Sequence, residues 1–305
     1  GEIPGTGDLR FFANGDPPDT GGVFSGAAVL SGYGTFFGNT TIKSGVVTMD
    51  SFFGDSSNPV TLDGGGIVDQ NHNNTFSHDI RIAAGGGVIR SYGSTTSTIS
   101  GVISNAPGVA NASIRLTDAG IRVLSGDGSA FAGTITNSRG TLYVDSPDWS
   151  GTNLVSVDAA EVRFGSGTVS KIKSIATDNN LHIETGTTLD VTTGDFTVQP
   201  GLASGNFSIQ NDGTLTSSSG TLAFNFLTPY TATGADSQAV NVLLADYDGS
   251  TPLTVVKNGP GAIANFNKAN TYTGGTIING GRINVANAGA FGTGNVTVNH
   301  GGQAS

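Results

Sequence analysis

Short apolar runs, broken repeatedly by glycine and asparagine, extend along most of the chain. The clearest examples lie near the C-terminus, at Ile277–Ile278, Ile283–Val285 and Val296–Val298, with glycine or asparagine at every break between them. β-Branched residues that alternate with polar residues between such breaks predict short strands joined by tight turns. The glycines follow one another too closely for a helix of useful length. We therefore predict an all-β protein.

The strand pattern is repeated within the chain. The repeat begins with an aromatic-x-Gly triplet, which is followed by a strand, a glycine-containing turn and a second strand. Such triplets occur at Phe36–Gly38, Phe131–Gly133 and Tyr272–Gly274. Strands this short cannot each bury a face alone, but successive coils of a solenoid can stack around one core. At roughly 20 residues per coil, the repeat predicts a single parallel β-helix, or β-solenoid, of about a dozen coils.

The same pattern sets the expected boundaries. We expect residues 1–22 to be an irregular N-terminal segment or cap and residues 23–305 to form the β-helix. Regularity weakens near 227–255, which predicts a loop insertion, and returns at 256–302, where the repeat is clearest. Loops carry function more often than the elements they connect, so the insertion is where a ligand would be expected to bind.

Strand alternation also predicts which side chains face the core. The most regular stretch runs from 147 to 200, where apolar residues recur at every second position of each short strand. Successive side chains of a strand point to opposite faces. We therefore expect Ile183 and Leu189 to point inward, while Thr185, between them, faces solvent.

One segment carries a family resemblance. The sequence NTYTGGTIINGGRINV, residues 270–285, resembles the passenger-associated transport repeat of bacterial autotransporters, and the preceding VVKNGPGAI resembles the lead-in to that repeat. A second copy is IRLTDAGIRVLSGDGSAFAG, residues 114–133. The resemblance implies a right-handed parallel β-helix that is exported and displayed on a bacterial surface. It implies a stalk or adhesin passenger, with a glycan or another surface molecule of a host or neighbouring cell as ligand, and it implies no particular chemistry.

Composition and charge narrow the function classes. The net charge is −10, with 13 lysines and arginines in 305 residues. Neutralising nucleic-acid phosphates or docking on an anionic membrane needs clustered positive charge, so we predict neither partner. No apolar run is long enough for a transmembrane helix, so direct membrane insertion is not expected. The chain has no cysteine, which fits a protein threaded unfolded through a bacterial envelope, where a disulfide could block passage.

Both ends look cut. The first residues lack the basic and apolar regions of a signal peptide, and the last residues follow directly on a strand. We expect a fragment of a longer protein. An uncapped final coil exposes unpaired main-chain groups and apolar side chains. We therefore expect the coil at Val296 and Val298 to stack end to end, either on another copy or on the next part of the parent chain.

The densest group of charged residues supplies the candidate ligand surface. Asp145, Asp148 and Glu161 surround Trp149, whose ring could stack on a sugar, and Tyr230 lies in the predicted insertion. Paired carboxylates on neighbouring coils would suit a polysaccharide-cleaving enzyme. The aromatic residues would suit a carbohydrate-binding module. The alternative is structural. The order Trp149-Ser150-Gly151 repeats the aromatic-x-Gly pattern, which favours a tryptophan that caps a coil.

No stronger chemical motif is present, and we predict no catalytic residue, cofactor or metal ion. Asp246 and Asp248, followed by Gly249, form the best calcium candidate, but the remaining positions of a calcium-binding loop are missing. A plain turn is the alternative for these residues. The four histidines do not have the spacing of a zinc site.

Overall fold

The computed structural model describes residues 9–11, 27–28, 40–49, 57–69, 72–158, 160–165, 167–198, 207–227, 237–259, 263–299 and 301–304. All regular secondary structure in these residues is β-strand, so the all-β prediction is confirmed. The described residues contain no helix of the length and apolar character needed to cross a membrane. The chain divides into two compact units, Gly1–Ser146 and Pro147–Ser305.

The first unit is a stack of coils built from short parallel strands. In chain order these are β1 (Leu9–Phe11), β2 (Ala27–Ala28), β3 (Thr40–Ile42), β4 (Val46–Thr48), β5 (Val60–Leu62), β6 (Gly66–Asp69), β7 (Thr75–Phe76), β8 (Ile80–Ile82), β9 (Gly87–Ser91), β10 (Thr96–Ile99), β11 (Ile103–Asn105), β12 (Ala112–Thr117), β13 (Ile121–Leu124), β14 (Gly133–Asn137) and β15 (Thr141–Val144). Three sheets run along the stack, in the orders β1-β3-β5-β8-β11, β2-β4-β6-β9-β12-β14 and β7-β10-β13-β15. This is the β-solenoid that the repeats predict.

The second unit has the same architecture. Its strands are β16 (Asp148–Ser156), β17 (Glu161–Phe164), β18 (Val169–Thr177), β19 (Leu181–Ile183), β20 (Thr188–Val191), β21 (Asp195–Val198), β22 (Ser208–Gln210), β23 (Thr214–Thr216), β24 (Thr221–Phe226), β25 (Ser237–Val240), β26 (Leu243–Leu244), β27 (Thr254–Asn258), β28 (Ile263–Phe266), β29 (Gly275–Ile278), β30 (Gly281–Val285), β31 (Val296–Val298) and β32 (Gly302–Ala304). Two long sheets have the orders β16-β18-β21-β24-β27-β29-β31 and β17-β19-β22-β25-β28-β30-β32. A third face is formed by β20, β23 and β26, which pair in that order.

Strand β18 shows how one strand serves two faces. Its first half, Val169–Ile172, pairs with β20, and its second half, Ile175–Thr177, pairs with β21. The pairing between β16 and β18 shifts register between Trp149 and Asn153. A bulge of this kind bends a strand, which lets one continuous segment turn a corner of the coil.

The core consists of columns of equivalent side chains from successive coils. In the first unit Ile42, Leu62 and Ile82 occupy matched positions of β3, β5 and β8, and all three are fully buried. In the second unit the rings of Phe196 and Phe224, from β21 and β24, lie 5.3 Å apart. Each coil alone has few inward side chains, so burial of apolar surface depends on the neighbouring coils.

The predicted side-chain directions in the regular stretch are confirmed. Ile183 and Leu189 are fully buried, whereas Thr185 is exposed. The aromatic-x-Gly repeat also has a structural explanation. Phe131 is buried, and Gly133 begins β14 with a φ of 155°, where a Cβ atom would lie 2.0 Å from the carbonyl oxygen of Ala112 in the preceding coil. The aromatic ring fills the core and the glycine lets the coils approach closely.

Two stretches differ from the expected boundaries. Within the segment 1–22, expected to be irregular, Leu9–Phe11 forms β1 and pairs with β3. Within the insertion expected at 227–255, β25 pairs with both β22 and β28, and β26 pairs with β23, so residues 237–244 form part of a regular coil. The physical reason is the alternation of Val240, Val242 and Leu244, which are all buried and extend the core columns. The first repeat triplet, Phe36–Gly38, lies outside the described residues.

Candidate functional site

The predicted ligand residues occupy separate positions. Asp145, in the first unit, is exposed, and its backbone N–H donates to the carbonyl oxygen of Leu124 at 2.9 Å. In the second unit Asp148 begins β16 and Glu161 begins β17, and these two strands belong to different sheets. Tyr230 lies outside the described residues. The structure therefore does not bring Asp148 and Glu161 together as a pair of carboxylates on one face.

Trp149 is not a ligand-binding residue. Its side chain is only 1% exposed, and its position in β16 is matched by Ile172 in β18 and Val191 in β20. A ring buried in this core column cannot stack on a sugar, so the expectation of a sugar-facing tryptophan is wrong. The aromatic-x-Gly alternative accounts for it, because Trp149 fills the core as Phe131 does in the first unit.

Glu161 is the centre of a charged cluster on β17 and β19. The carboxylate oxygen Oε1 of Glu161 lies 2.6 Å from Nε2 of His182 and 2.9 Å from Nη2 of Arg163. Arg163 and His182 are matched residues of the two neighbouring strands, which places their side chains side by side on the outer face. Nδ1 of His182 is buried and has no hydrogen-bond partner among the described residues.

The cluster extends over three coils. Arg163 also contacts Oε1 of Glu184 through Nη1 at 3.4 Å, and the other oxygen of Glu184 accepts a hydrogen bond from Nδ2 of Asn211 at 2.8 Å. One guanidinium thus bridges two carboxylates, and both are already paired. A glycosidase needs one carboxyl group to donate a proton and another to act as nucleophile or base. Carboxylates held by a shared arginine are better suited to joining coils than to that chemistry.

A second charged column crosses β16, β18 and β20. Asp148, Lys171 and Asp190 are matched residues of these strands and give alternating charges along the stack. Asp190 is fully buried: Oδ1 accepts the backbone N–H of Ser218 at 2.7 Å, and Oδ2 has no partner among the described residues. Burial raises the pKa of Asp190. Because Asp190 is closed to solvent, only Asp148 and Lys171 of this column could reach a ligand.

The best calcium candidate is a turn. Oδ1 of Asp246 accepts backbone N–H groups from Leu253 at 2.7 Å and Thr273 at 2.9 Å, which joins two coils. Asp248 accepts hydrogen bonds from Ser250 and Thr251, and these bonds lower its pKa to about 2. Both carboxylates are therefore used by the turn itself. Among the described residues, no three histidine, aspartate or glutamate side chains are grouped so as to hold a metal ion.

Two buried cations hold the corners of coils. In the second unit Lys257 is fully buried, and its Nζ donates to the carbonyl oxygens of Gly280 at 2.9 Å and of Asn258 and Gly259 at 3.3 Å each. The ammonium lies 4.9 Å from the centre of the Phe226 ring. Burial lowers the pKa of Lys257 to about 8. This lysine ties the turns of two successive coils together.

Arg122 has the equivalent role in the first unit. It is fully buried, and it donates to the carbonyl oxygens of Thr117 at 2.6 Å and Asp118 at 2.9 Å, to that of Arg139, and to Oδ1 of Asn137 at 3.1 Å. Burial lowers its pKa to about 10. The acceptors come from two successive turns, so this cation also fastens one coil to the next.

An asparagine ladder runs along the outer face of the second unit. Nδ2 of Asn258 donates to Oδ1 of Asn225 at 2.8 Å, Asn279 donates to Asn258 at 2.8 Å, and Asn299 donates to Asn279 at 2.7 Å. All three bonds run in the same direction along the stack. Stacked amides of this kind add to the main-chain ladder between coils.

Comparison of the chain with protein-family models, with curated proteins and with solved structures finds no match. The proposed function therefore rests on the geometry of the described residues.

Proposed function

We propose that the chain is a structural β-solenoid, a stiff stalk or adhesin passenger of an exported bacterial protein that is displayed at the cell surface. The proposal rests on one observation: several charged side chains bind groups within the stack of coils. Arg163 binds Glu161 of its own strand and Glu184 of the next coil. Arg122 and Lys257 bind turn carbonyls. These groups stabilise the stack, and their side chains are already bound within it.

The proposal is also supported by the kind of stability that the stack provides. Each sheet is a continuous ladder of parallel strands, and side-chain ladders such as the asparagine series lie beside it. Stability in such a protein is the sum of contacts between neighbouring coils, so length can be added without a new core. A stack of coils that can be lengthened in this way is suited to holding a binding surface away from a cell.

Export, surface display, ligand and association belong to the same proposal. The ligand is a glycan or a surface molecule of a host or neighbouring cell, and the chain associates end to end, either with another copy or with the rest of the parent chain. The autotransporter-like repeat at 270–285 and the absence of cysteine are consistent with passage through an envelope. Antibodies raised against this chain should label intact cells of the source organism. Labelling that appears only after lysis would contradict surface display.

The enzymatic alternative can be tested directly. The chain should release no new reducing ends or unsaturated sugars from a panel of acidic and neutral polysaccharides, and Asp148→Asn and Glu161→Gln should behave like the unchanged chain. Cleavage that is lost in either variant, with an unchanged circular dichroism spectrum, would replace the structural proposal by a polysaccharide-degrading enzyme. A glycan array on the same samples would detect binding without cleavage, which is the outcome expected of an adhesin.

A further inference from the structure

One outer face of the second unit has no charged side chain at its described positions over three successive coils. Strands β24, β27 and β29 pair side by side, and their matched residues Phe224, Lys257 and Ile278 are buried. Successive side chains of a strand point to opposite faces, so the intervening positions face outward. Six of these positions define what we call the amide face: Ala223, Asn225, Val256, Asn258, Ile277 and Asn279.

Two columns of different chemistry run along the amide face. Ala223, Val256 and Ile277 are matched residues of the three strands and form an apolar column that is partly exposed. The three asparagines form a second column beside it. Neighbouring strands lie about 4.8 Å apart, and side chains on one face of a strand recur at about 6.6 Å along it. The amide face therefore presents an apolar strip next to a row of amides, and the arrangement repeats at every coil.

The asparagine amides are held in place and still have bonding capacity. Asn258 donates through Nδ2 to Asn225 and accepts through Oδ1 from Asn279. Asn279 in turn accepts through Oδ1 from Asn299. A primary amide has two N–H groups and two oxygen lone pairs, and the ladder uses one of each on Asn258 and on Asn279. The second N–H and the second lone pair of both residues therefore remain for another molecule. Because the neighbouring amides already fix each side chain, binding would not have to immobilise it, which removes an entropic cost.

The charge of the amide face restricts the class of ligand. Nucleic acids and acidic polysaccharides are bound through lysine and arginine. Among the described residues of β24, β27 and β29 the only cation is Lys257, which is buried with its ammonium on turn carbonyls. On the neighbouring strand β21 the residue matched to Ala223 is Asp195, which is exposed and would repel an anion. The ligand that fits this face is therefore uncharged.

The two columns add further requirements. The ligand must have an apolar side for the strip, groups that both donate and accept hydrogen bonds for the amides, and a structure that repeats along the stack. Sugar rings of a neutral polysaccharide meet all three, because C–H groups line the faces of each ring, hydroxyl groups line its edge, and the ring recurs along the polymer.

We propose that the amide face binds a neutral, linear polysaccharide that lies along the stack of coils. The C–H faces of the sugar rings pack on the column of Ala223, Val256 and Ile277, and their hydroxyl groups bond to the remaining N–H groups and lone pairs of Asn258 and Asn279. The inference rests on the proposed function, because it gives the glycan ligand of the adhesin a chemical class and a site.

Isothermal titration calorimetry with cellohexaose, chitohexaose and mannohexaose tests the class of ligand. At least one of these neutral hexasaccharides should bind, and the corresponding disaccharide should bind more weakly, because a shorter ligand spans fewer coils. Polygalacturonate, an anionic polymer, should not bind. A chain that binds none of the three hexasaccharides, or that binds polygalacturonate more tightly, would overturn the proposal.

Matched variants test the site. Asn279→Ala removes one amide of the face and should weaken hexasaccharide binding by roughly five- to tenfold, the effect of losing a hydrogen-bonding side chain. Asn267→Ala is the control, because Asn267 is also exposed and also donates to an asparagine of the preceding coil, Asn241 at 2.6 Å, but follows β28 in another sheet. This variant should bind like the unchanged chain. Ile277→Thr keeps a β-branched side chain and leaves the amides in place, and it should also weaken binding because the apolar strip is interrupted.

The outcomes separate the site from the proposed function. Hexasaccharide binding that is equal in the unchanged chain, Asn279→Ala and Ile277→Thr, with unchanged circular dichroism spectra, would refute the amide face and leave the adhesin proposal standing. Binding that is lost in both variants, in a protein that antibodies label only after cell lysis, would support the face and contradict surface display. Association in sedimentation that Asn279→Ala abolishes, without any glycan binding, would assign the face to a second copy of the chain and overturn the polysaccharide proposal.

Discussion

Replacing Lys257 by methionine tests the electrostatics of the coil corners. Among the described residues the ammonium contacts three carbonyl oxygens and the Phe226 ring, and it forms no ion pair with a carboxylate. Burial lowers its pKa from 10.5 to about 8. Methionine keeps an unbranched apolar side chain in the same space but removes the charge and the donors. The comparison therefore isolates what the buried amine contributes.

The sign of the pH dependence follows from linkage. Between pH 8 and 10.5 the unfolded chain still protonates Lys257 while the folded chain does not, so the unfolded state binds more protons. The free energy of unfolding therefore rises with pH in this window, by about 3 kcal/mol at most. Below pH 8 and above 10.5 the contribution is constant. Lys257→Met has no such group and should lack this rise.

The assay is equilibrium unfolding in urea at several pH values from 7 to 11, for the unchanged chain and for Lys257→Met. The quantity to plot is the difference between their free energies of unfolding, because other titrating groups, such as Tyr272 with its pKa raised to about 12 by burial, contribute to both chains. Lys268→Met, at a partly exposed lysine, corrects for the general loss of one positive charge. A difference that is flat or falls between pH 8 and 10.5 would show that the carbonyls and the Phe226 ring outweigh desolvation.

Three further predictions concern the stack. Ile183→Asp should lower the free energy of unfolding by several kcal/mol, about what burying an unpaired charge costs, whereas Thr185→Asp should have little effect; equal losses would refute the inward register. Asn279→Asp, which cannot donate to Asn258, should cost about 1 kcal/mol at neutral pH, and recovery at acidic pH would confirm that the charge is responsible. Arg163→Ala should cost roughly 1 kcal/mol or less, and a loss that does not shrink in 1 M salt would argue against an ionic contribution.

The fold could be predicted because its signals are local. Alternation along each strand and the aromatic-x-Gly triplets depend on residues close in sequence, and they led to a parallel solenoid with correct directions for Ile183 and Leu189. The same triplet accounts for Trp149, whose interpretation as a sugar-binding residue came from its charged neighbours in sequence. Those neighbours are not evidence of exposure, because residues on either side of a buried strand position point outward.

The candidate site could not be predicted because its contacts are not local. In a solenoid a side chain meets residues one coil away, and coil length varies. Arg163 reaches Glu184 across 21 residues, and Asn258 reaches Asn225 across 33, whereas Asn299 reaches Asn279 across 20. From the sequence, Glu161 was expected to act together with Asp148. In the structure the partners of Glu161 are Arg163 and His182. Only the first of these lies nearby in sequence.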